Sequence, residues 1–326
     1  MRFLFICFFL FTSTALQAQM TSGLTGKTDT SFSNASAYRQ AVKKHPGIQL
    51  ITEFELPSVK EKRNITYRKI GSRKLALDAF YPKKSNKEKT PAILIIHGGG
   101  WRSGHRQQHI PLAQRLADLG YASFTVEYRL STEALYPAAV HDLKAAIRFI
   151  KANANKFNLD TSKVTVLGFS AGGELAALLG VTNKNPAFEG EKSKDKSSST
   201  VQAVIDLDGT LSFVHPESGE GNDSKSISAA TYWFGFPKKD NPALWAEASP
   251  LTHAGKATPP FLFINSSVDR MHAGRDDFRK VLDQFNTYSE VHTFQDAPHT
   301  FPLFNPWFEP TLRHIDDFLK KVFSEK

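Results

Sequence analysis

Residues 164–174 read Val-Thr-Val-Leu-Gly-Phe-Ser-Ala-Gly-Gly-Glu, and this stretch decides the fold. Val164 to Leu167 is a run of β-branched and apolar residues, which predicts a buried strand. Residues 168–172 then form the pattern G-x-S-x-G, and an alanine- and leucine-rich stretch that follows predicts a helix. Ser170 therefore lies on a tight strand-to-helix turn, where flanking glycines avoid clashes with the neighbouring backbone. The pattern predicts that Ser170 is a nucleophile and that the N–H of Ala171 points at the atom it attacks.

A second glycine-rich segment follows another predicted strand. Pro91 to Ile96 is a continuous apolar run, and His97-Gly98-Gly99-Gly100-Trp101 comes directly after it. Three consecutive glycines cost backbone entropy, so we expect their N–H groups to approach a ligand oxygen and stabilise developing negative charge. His97 is expected to brace this loop by hydrogen bonding. Trp101 is expected either to form a pocket wall or simply to pack.

Strand and helix patterns alternate through most of the chain. This alternation predicts an α/β fold with a mostly parallel central sheet and helices on both faces. Asn64 to Ile70 and Lys74 to Tyr81, joined by a short turn, are expected to form antiparallel edge strands. In open α/β sheets the site lies at the carboxyl ends of the strands, where both glycine-containing segments fall. An insertion at residues 215–245 is expected to form a lid or substrate wall, or to cover the sheet edge.

A serine nucleophile needs a base, and the base needs an acid that orients it. His299 follows the predicted strand Ser289 to Phe294, which makes it the candidate base. Asp269 follows the predicted strand Phe261 to Asn265 and is the candidate acid. Asp276, at the start of a predicted helix, is the alternative acid.

These motifs resemble those of the α/β-hydrolase superfamily. His97-Gly98-Gly99-Gly100-Trp101, residues 168–173 and Ala297-Pro298-His299 are similar to hormone-sensitive-lipase-like esterases and to bacterial feruloyl and acetylxylan esterases. The order serine, aspartate, histidine is the one expected of that superfamily. The resemblance implies an α/β-hydrolase fold and a carboxylic ester hydrolase.

The resemblance also implies roles for individual residues. The oxyanion donors would be the N–H groups of Gly98, Gly99 and Ala171, and Trp101 and Phe169 are the candidate substrate-binding residues. The loop before the acid departs from the family, because Asn265-Ser266-Ser267-Val268-Asp269 lacks the usual glycine.

The first 18 residues predict a secretory signal peptide. A positive Met1-Arg2 start precedes an apolar run and a small-residue end, with cleavage expected after Ala18. We therefore expect an exported protein, periplasmic or extracellular. The apolar run is too short to span a bilayer, so stable membrane insertion is not expected. Residues 19–58 are interpreted as a loose N-terminal extension with a short helix near Ser36 to Lys44, and residues 59–326 as the α/β-hydrolase domain.

Composition limits the function further. The single cysteine, Cys7, lies in the predicted signal peptide, so no cysteine nucleophile or disulfide is expected in the mature chain. The net charge of +9 could favour acidic polymers or membrane surfaces, but a generic basic surface is the simpler interpretation. Nucleic acid is not an expected partner, because no binding motif is recognisable. No metal or organic cofactor is expected, since a Ser-His-Asp triad transfers acyl groups without one.

The predicted function is a secreted serine esterase that removes acetyl groups from plant cell-wall carbohydrate such as xylan or pectin. The predicted partner is thus an ester substrate, an acylated oligo- or polysaccharide. Three alternatives remain open: an amide-cleaving, formamidase-like hydrolase, a peptidase of the same superfamily, and a non-catalytic binding module on a hydrolase fold. The sequence predicts no oligomeric state.

Overall fold

The computed structural model describes residues 18–84, 88–191 and 197–324. The strands are β1 (Gln49–Leu50), β2 (Val59–Ile70), β3 (Arg73–Pro82), β4 (Thr90–Ile96), β5 (Ala122–Val126), β6 (Leu159–Phe169), β7 (Ala203–Leu207), β8 (Phe261–Asn265), β9 (Ser289–Thr293) and β10 (Phe304–Asn305). The helices are α1 (Asn34–Ala41), α2 (Ile110–Asp118), α3 (Ala138–Ala152), α4 (Ala154–Phe157), α5 (Ala171–Val181), α6 (Ala229–Phe234), α7 (Pro242–Glu247), α8 (Pro250–His253), α9 (Arg275–Gln284) and α10 (Phe308–Ser324). Short 3-10 helices lie at Arg106–His109, Pro186–Phe188, Asp269–His272 and Phe301–Leu303.

A central sheet runs in the order β2-β3-β5-β4-β6-β7-β8-β9. The strands from β5 to β9 pair in parallel, whereas β3 is antiparallel to both of its neighbours. The predicted mostly parallel sheet with antiparallel edge strands on the N-terminal side is thereby confirmed. In the register of β6, Gly168 lies opposite Ile96 of β4, and Phe169 lies opposite Leu207 of β7. The carboxyl ends of these three strands therefore meet at one edge.

Both faces of the sheet are buried, which explains the continuous apolar runs in the sequence. Val164 and Val166 contribute to the core under α3 and α5, whereas Leu167 and Phe169 contribute to the core under α2 and α10. Successive strand residues point to opposite faces, so a strand covered on both sides must be apolar at every position. The sheet is thus a rigid platform for the loops at its edge.

The N-terminal segment packs onto this platform. The predicted short helix is present as α1, and Ala37, Ala41 and Ile48 are buried in the core that contains α10. β1 pairs with β10 near the C-terminus. The segment is therefore attached more firmly than the expected loose extension. The predicted signal peptide lies, apart from Ala18, outside the described residues. Of the helices in the described ranges, none is both long and apolar enough to cross a membrane.

Candidate active site

Ser170 lies on a sharp turn between β6 and α5. Its backbone has φ 57° and ψ −122°, a strained conformation for a residue with a side chain. A Cβ added to Gly168 would lie 1.8 Å from the carbonyl oxygen of Gly172, and one added to Gly172 would lie 2.3 Å from the carbonyl oxygen of Ile96. The two flanking glycines are therefore required by close backbone approach, as the sequence pattern predicts.

The structure brings Ser170, His299 and Asp208 into one hydrogen-bonded chain. His299 Nε2 lies 2.9 Å from Ser170 Oγ, and His299 Nδ1 lies 2.7 Å from Asp208 Oδ2. Asp208 is fully buried and also accepts hydrogen bonds from the backbone N–H of Ser266, at 2.9 Å, and from its hydroxyl. Hydrogen bonds donated to a carboxylate stabilise its charged form. Asp208 is therefore positioned to orient His299 and to stabilise positive charge on the imidazole ring.

The acid is thus not the one that the sequence pattern favours. The Asp269 side chain is 99% exposed, and its nearest ion-pair partner is His272, at 3.9 Å. The alternative, Asp276, is also exposed and is hydrogen-bonded to Arg275. The structure corrects the predicted orienting acid from Asp269 to Asp208, because neither of the other carboxylates contacts the imidazole.

Sheet topology explains why Asp208 reaches the histidine. The N–H of Ser170 donates to the carbonyl of Leu207 at 2.9 Å, so the end of β7 is fastened to the nucleophile turn. Asp208 follows at once, with φ 57°, in the left-handed region that turns the chain sharply. The loop after β8 supplies Ser266, which holds the carboxylate. The available signal in the sequence was Asp208-Gly209 directly after the apolar run of β7.

The oxyanion donors also need one correction. The N–H of Gly98 donates to Gln108 Oε1 at 2.8 Å, so it is already occupied. Across residues 18–84, 88–191 and 197–324, no hydrogen-bond partner is present for the N–H groups of Gly99, Gly100 and Ala171. Gly100 and Ala171 line the same cavity as Ser170. The unpaired donors in the lining of this cavity are therefore the N–H groups of Gly100 and Ala171, and the predicted donor Gly99 is unpaired but is not part of the lining.

His97 supports the glycine loop rather than acting on a ligand. Its ring is buried, stacks on Tyr128 with centroids 4.5 Å apart, and has Nδ1 2.9 Å from the carbonyl oxygen of Gly98. Burial lowers the pKa of His97 to about 4, so the ring is neutral at physiological pH. The ring therefore braces the loop, as the sequence analysis expects.

The two candidate substrate-binding aromatic residues differ in position. Trp101 lines the cavity beside Ser170, stacks on Trp233 with centroids 5.0 Å apart, and donates its indole N–H to Glu174 at 2.8 Å. Phe169 is buried, and its ring packs against His299 with centroids 4.9 Å apart. Trp101 is thus a pocket wall that also packs, whereas Phe169 packs against the imidazole and is not among the residues that line the cavity.

Two further carboxyl groups lie buried beside the triad. Glu174 and Asp206 have no exposed surface, and burial raises the pKa of each well above its usual value. Glu174 accepts the Trp101 hydrogen bond and Asp206 accepts one from the N–H of Gly209, at 2.7 Å. The raised pKa favours the protonated form of both groups, and the carboxyl group that contacts His299 is that of Asp208.

The cavity at Ser170 is small. Its volume is about 60 Å³, and charged residues stand beside apolar ones in its wall. Its lining consists of Gly100, Trp101, Ser170, Ala171, Asp208, Thr210, Glu220, Ala229, Arg270 and Met271. Glu220 and Ala229 come from the insertion at residues 215–245, so this insertion forms part of the wall. Trp233 and Trp245 of the same insertion are fully buried, so it also covers the end of the sheet.

Comparison with known protein families gives a match over most of the folded region. The family described as BD-FAE matches residues 77–273, more than half of the chain. This segment runs from β3 to the 3-10 helix that follows β8, so it includes Ser170 and Asp208 but ends before His299.

Among curated proteins of Mycobacterium tuberculosis (strain ATCC 25618 / H37Rv), esterase LipC is 28% identical over 202 residues, covering 59% of this chain and 48% of LipC. The probable carboxylic ester hydrolase LipM of the same strain is 27% identical over 248 residues, covering 72% of this chain and 55% of LipM. The chain therefore spans about half the length of these curated relatives.

Solved structures share the fold. A truncated form of a carbohydrate esterase from gut microbiota superposes with a TM-score of 0.67 at 24% identity, covering 81% of this chain and 96% of that chain. A bifunctional GH43-CE protein of Bacteroides eggerthii superposes with a TM-score of 0.68 at 28% identity, covering 81% of this chain and 38% of that chain. Together with the sheet topology, these likenesses show an α/β-hydrolase fold.

Proposed function

The chain belongs to the BD-FAE family, and on that premise we propose that it is an exported serine carboxylic ester hydrolase that removes acetyl groups from plant cell-wall carbohydrate such as xylan or pectin. The observation that carries the proposal is the chain of contacts from Ser170 through His299 to Asp208, beside unoccupied backbone donors. Export rests on the apolar, small-residue leader of the sequence.

The proposed reaction proceeds through an acyl-enzyme. His299 Nε2 takes the proton of Ser170 as its Oγ attacks the ester carbonyl carbon. The N–H groups of Ala171 and of the glycine loop stabilise the resulting oxyanion. His299 then gives its proton to the leaving alcohol oxygen as the carbon–oxygen bond breaks. Water attacks the acyl-enzyme by the same steps and releases the acid, while Asp208 stabilises the imidazolium in both halves.

The size of the cavity supports a small acyl group. A volume of about 60 Å³ holds roughly four to six water-sized groups, at about 10–15 Å³ for each. A methyl group and a carbonyl fit in that space, whereas an aromatic acyl group would extend beyond it. Trp101 and Trp233 are stacked and buried, so close packing holds this wall of the cavity in place. Acetyl is therefore favoured over a feruloyl group.

Three considerations favour carbohydrate as the alcohol. One structural relative is named a carbohydrate esterase from gut microbiota, and the sequence resembles exported esterases that act on plant polysaccharides. Polar residues also surround the catalytic cavity on the side of the insertion. All three favour a hydroxyl-rich leaving group.

The test compares the wild-type protein with Ser170→Ala on 4-nitrophenyl acetate, 4-nitrophenyl butyrate, methyl ferulate and acetylated xylan. We expect the wild type to release acetate from xylan and to prefer acetyl over the larger acyl groups. Ser170→Ala should lower kcat by roughly 10⁴–10⁶-fold. Full activity of this variant would contradict the proposal, as would a preference for methyl ferulate.

The same small cavity would also admit a formyl group, so an amide substrate belongs in the experiment. Hydrolysis of N-formylkynurenine faster than of every acetyl ester would replace the esterase by a formamidase-like activity. Failure of a fluorophosphonate probe to label Ser170 would instead point to a non-catalytic binding module.

A further inference from the structure

Two charged side chains in the wall of the catalytic cavity have no part in the triad. Glu220 belongs to the insertion between β7 and β8, and Arg270 belongs to the 3-10 helix after β8. Both line the cavity that contains the Ser170 hydroxyl. In the part of the chain that the structure describes, neither the Glu220 carboxylate nor the Arg270 guanidinium has a hydrogen-bond or ion-pair partner.

An unpartnered carboxylate in a pocket wall needs an explanation. Glu220 is half-buried, and burial raises its pKa, while the positive charges of Arg270 and Lys238 act in the opposite direction. Burying a charged group without hydrogen bonds costs free energy. Its neighbour Asp223 shows the ordinary structural use of such a residue, because it accepts hydrogen bonds from Ser228 and Thr231 at the start of α6. Glu220 has no comparable structural task.

Glu220 also lies at the boundary between two spaces. On one side is the cavity of about 60 Å³ at Ser170, and on the other is an open groove of about 770 Å³ that Glu220 also lines. The groove has a mixed lining, in which polar residues of the insertion such as Ser218, Asn222 and Lys238 stand beside apolar residues. If the acyl group fills the small cavity, the alcohol half of the ester must lie toward wider space. Glu220 lines both spaces, and Arg270 lines the cavity beside it, so the sugar unit that carries the ester would pass these two side chains on its way to the groove.

We propose that Glu220 and Arg270 determine alcohol specificity by binding neighbouring hydroxyl groups of a sugar, with the groove receiving the rest of the saccharide. This inference rests on the proposed esterase function. A carboxylate accepts hydrogen bonds from two hydroxyls, and a guanidinium donates to hydroxyl oxygens in a fixed fork. A simple alcohol or a phenol offers no second hydroxyl. The two residues therefore discriminate between alcohols without taking part in bond breaking.

The test uses two substrates that share an acetyl group and differ in the alcohol: a mono-acetylated methyl xyloside and 4-nitrophenyl acetate. The measured quantity is the ratio of their kcat/KM values. Hydrogen bonds to charged groups contribute about 1.5–3 kcal/mol, so Glu220→Gln and Arg270→Gln should each lower this ratio by roughly 10- to 100-fold. Labelling of Ser170 by a fluorophosphonate probe confirms that each variant is folded.

Matched controls make the same chemical changes away from the cavity. Asp269→Asn removes an exposed carboxylate next to Arg270, and Arg313→Gln removes an exposed guanidinium on α10. Both should leave the ratio unchanged. An unchanged ratio in Glu220→Gln and Arg270→Gln would overturn the inference, and so would equal losses on both substrates. The proposed function fails separately, if the wild type hydrolyses neither ester.

Discussion

Replacing Asp208 by asparagine tests the assignment of the orienting acid with the smallest change in shape. In the native site one carboxylate oxygen accepts from His299 Nδ1 and the Ser266 hydroxyl, and the other accepts from the Ser266 N–H. An amide has one accepting oxygen and one donating nitrogen. Whichever way the new amide group is turned, one of these donors faces an NH₂ group.

The expected loss follows from the histidine tautomer. If the NH₂ faces His299, Nδ1 must accept and Nε2 carries the proton, so the ring cannot take a proton from Ser170. The same change in a serine protease triad lowers kcat by about 10⁴-fold, or about 5.4 kcal/mol of transition-state stabilisation. If the NH₂ faces Ser266 instead, the imidazolium still loses its countercharge. We expect Asp208→Asn to lower kcat on 4-nitrophenyl acetate by roughly 10³–10⁴-fold, with KM changed little.

The assay needs a measure of folding and matched controls. A buried, poorly paired amide costs about 1–3 kcal/mol of stability, so thermal unfolding and circular dichroism should accompany the kinetics. Asp269→Asn and Asp276→Asn make the same change at exposed carboxylates and should keep kcat within about twofold of wild type, as expected of surface substitutions. A folded Asp208→Asn with wild-type kcat, or a collapse of activity in Asp269→Asn, would refute the reasoning.

Two further predictions concern the packing around the nucleophile. Gly168→Ala should lower the melting temperature and abolish activity, because its Cβ would lie 1.8 Å from the Gly172 carbonyl oxygen, whereas Gly255→Ala, where no atom lies within 4 Å, should do neither. Glu174→Gln should become progressively more stable than wild type as the pH rises above 4.5. Because the pKa of Glu174 is raised in the folded state, the wild-type protein must take up a proton when it folds. This uptake lowers the free energy of unfolding of the wild type by roughly 1.4 kcal/mol for each pH unit between the unfolded and the folded pKa. Glutamine keeps an oxygen that accepts the hydrogen bond of Trp101. Thermal unfolding of the variant and the wild type at pH 5 and pH 8 measures the difference, and an equal difference in melting temperature at both pH values would contradict the prediction.

The nucleophile turn was predictable because it is local. Eleven consecutive residues contain the end of an apolar strand, the two glycines around Ser170 and the start of the following helix. The clash distances at Gly168 and Gly172 show why no other residue fits at these two positions. His299 was predictable for a related reason, because the topology alone brings a histidine in the loop after a late strand to the correct edge of the sheet.

The acid was not predictable from the same rule. Asp208 and Asp269 both follow buried strands, so position along the chain does not separate them. The choice depends on the backbone of each loop: Asp208 has φ 57° and turns inward, whereas Asp269 begins a 3-10 helix that carries its side chain into solvent. The prediction of Gly98 as an oxyanion donor was wrong for a related reason, because Gln108 of the next element accepts the hydrogen bond from its N–H. Such side-chain contacts between loops leave no periodic signal in a sequence.

The packing around Trp101 divides the site into a fixed part and an open part. Its ring stacks on Trp233 of the insertion, and its N–H binds Glu174 on the nucleophile helix, so the glycine loop, that helix and the insertion form one packed unit. Donors held in such a unit need no rearrangement as the oxyanion forms, which is the main source of electrostatic catalysis. The side chains of Glu220 and Arg270, in contrast, have no hydrogen-bond or ion-pair partner in the described chain that would hold them in place. In the proposed reaction the packed unit therefore sets the rate and the size of the acyl group, and the choice of alcohol depends on these two side chains, which would form hydrogen bonds with the substrate.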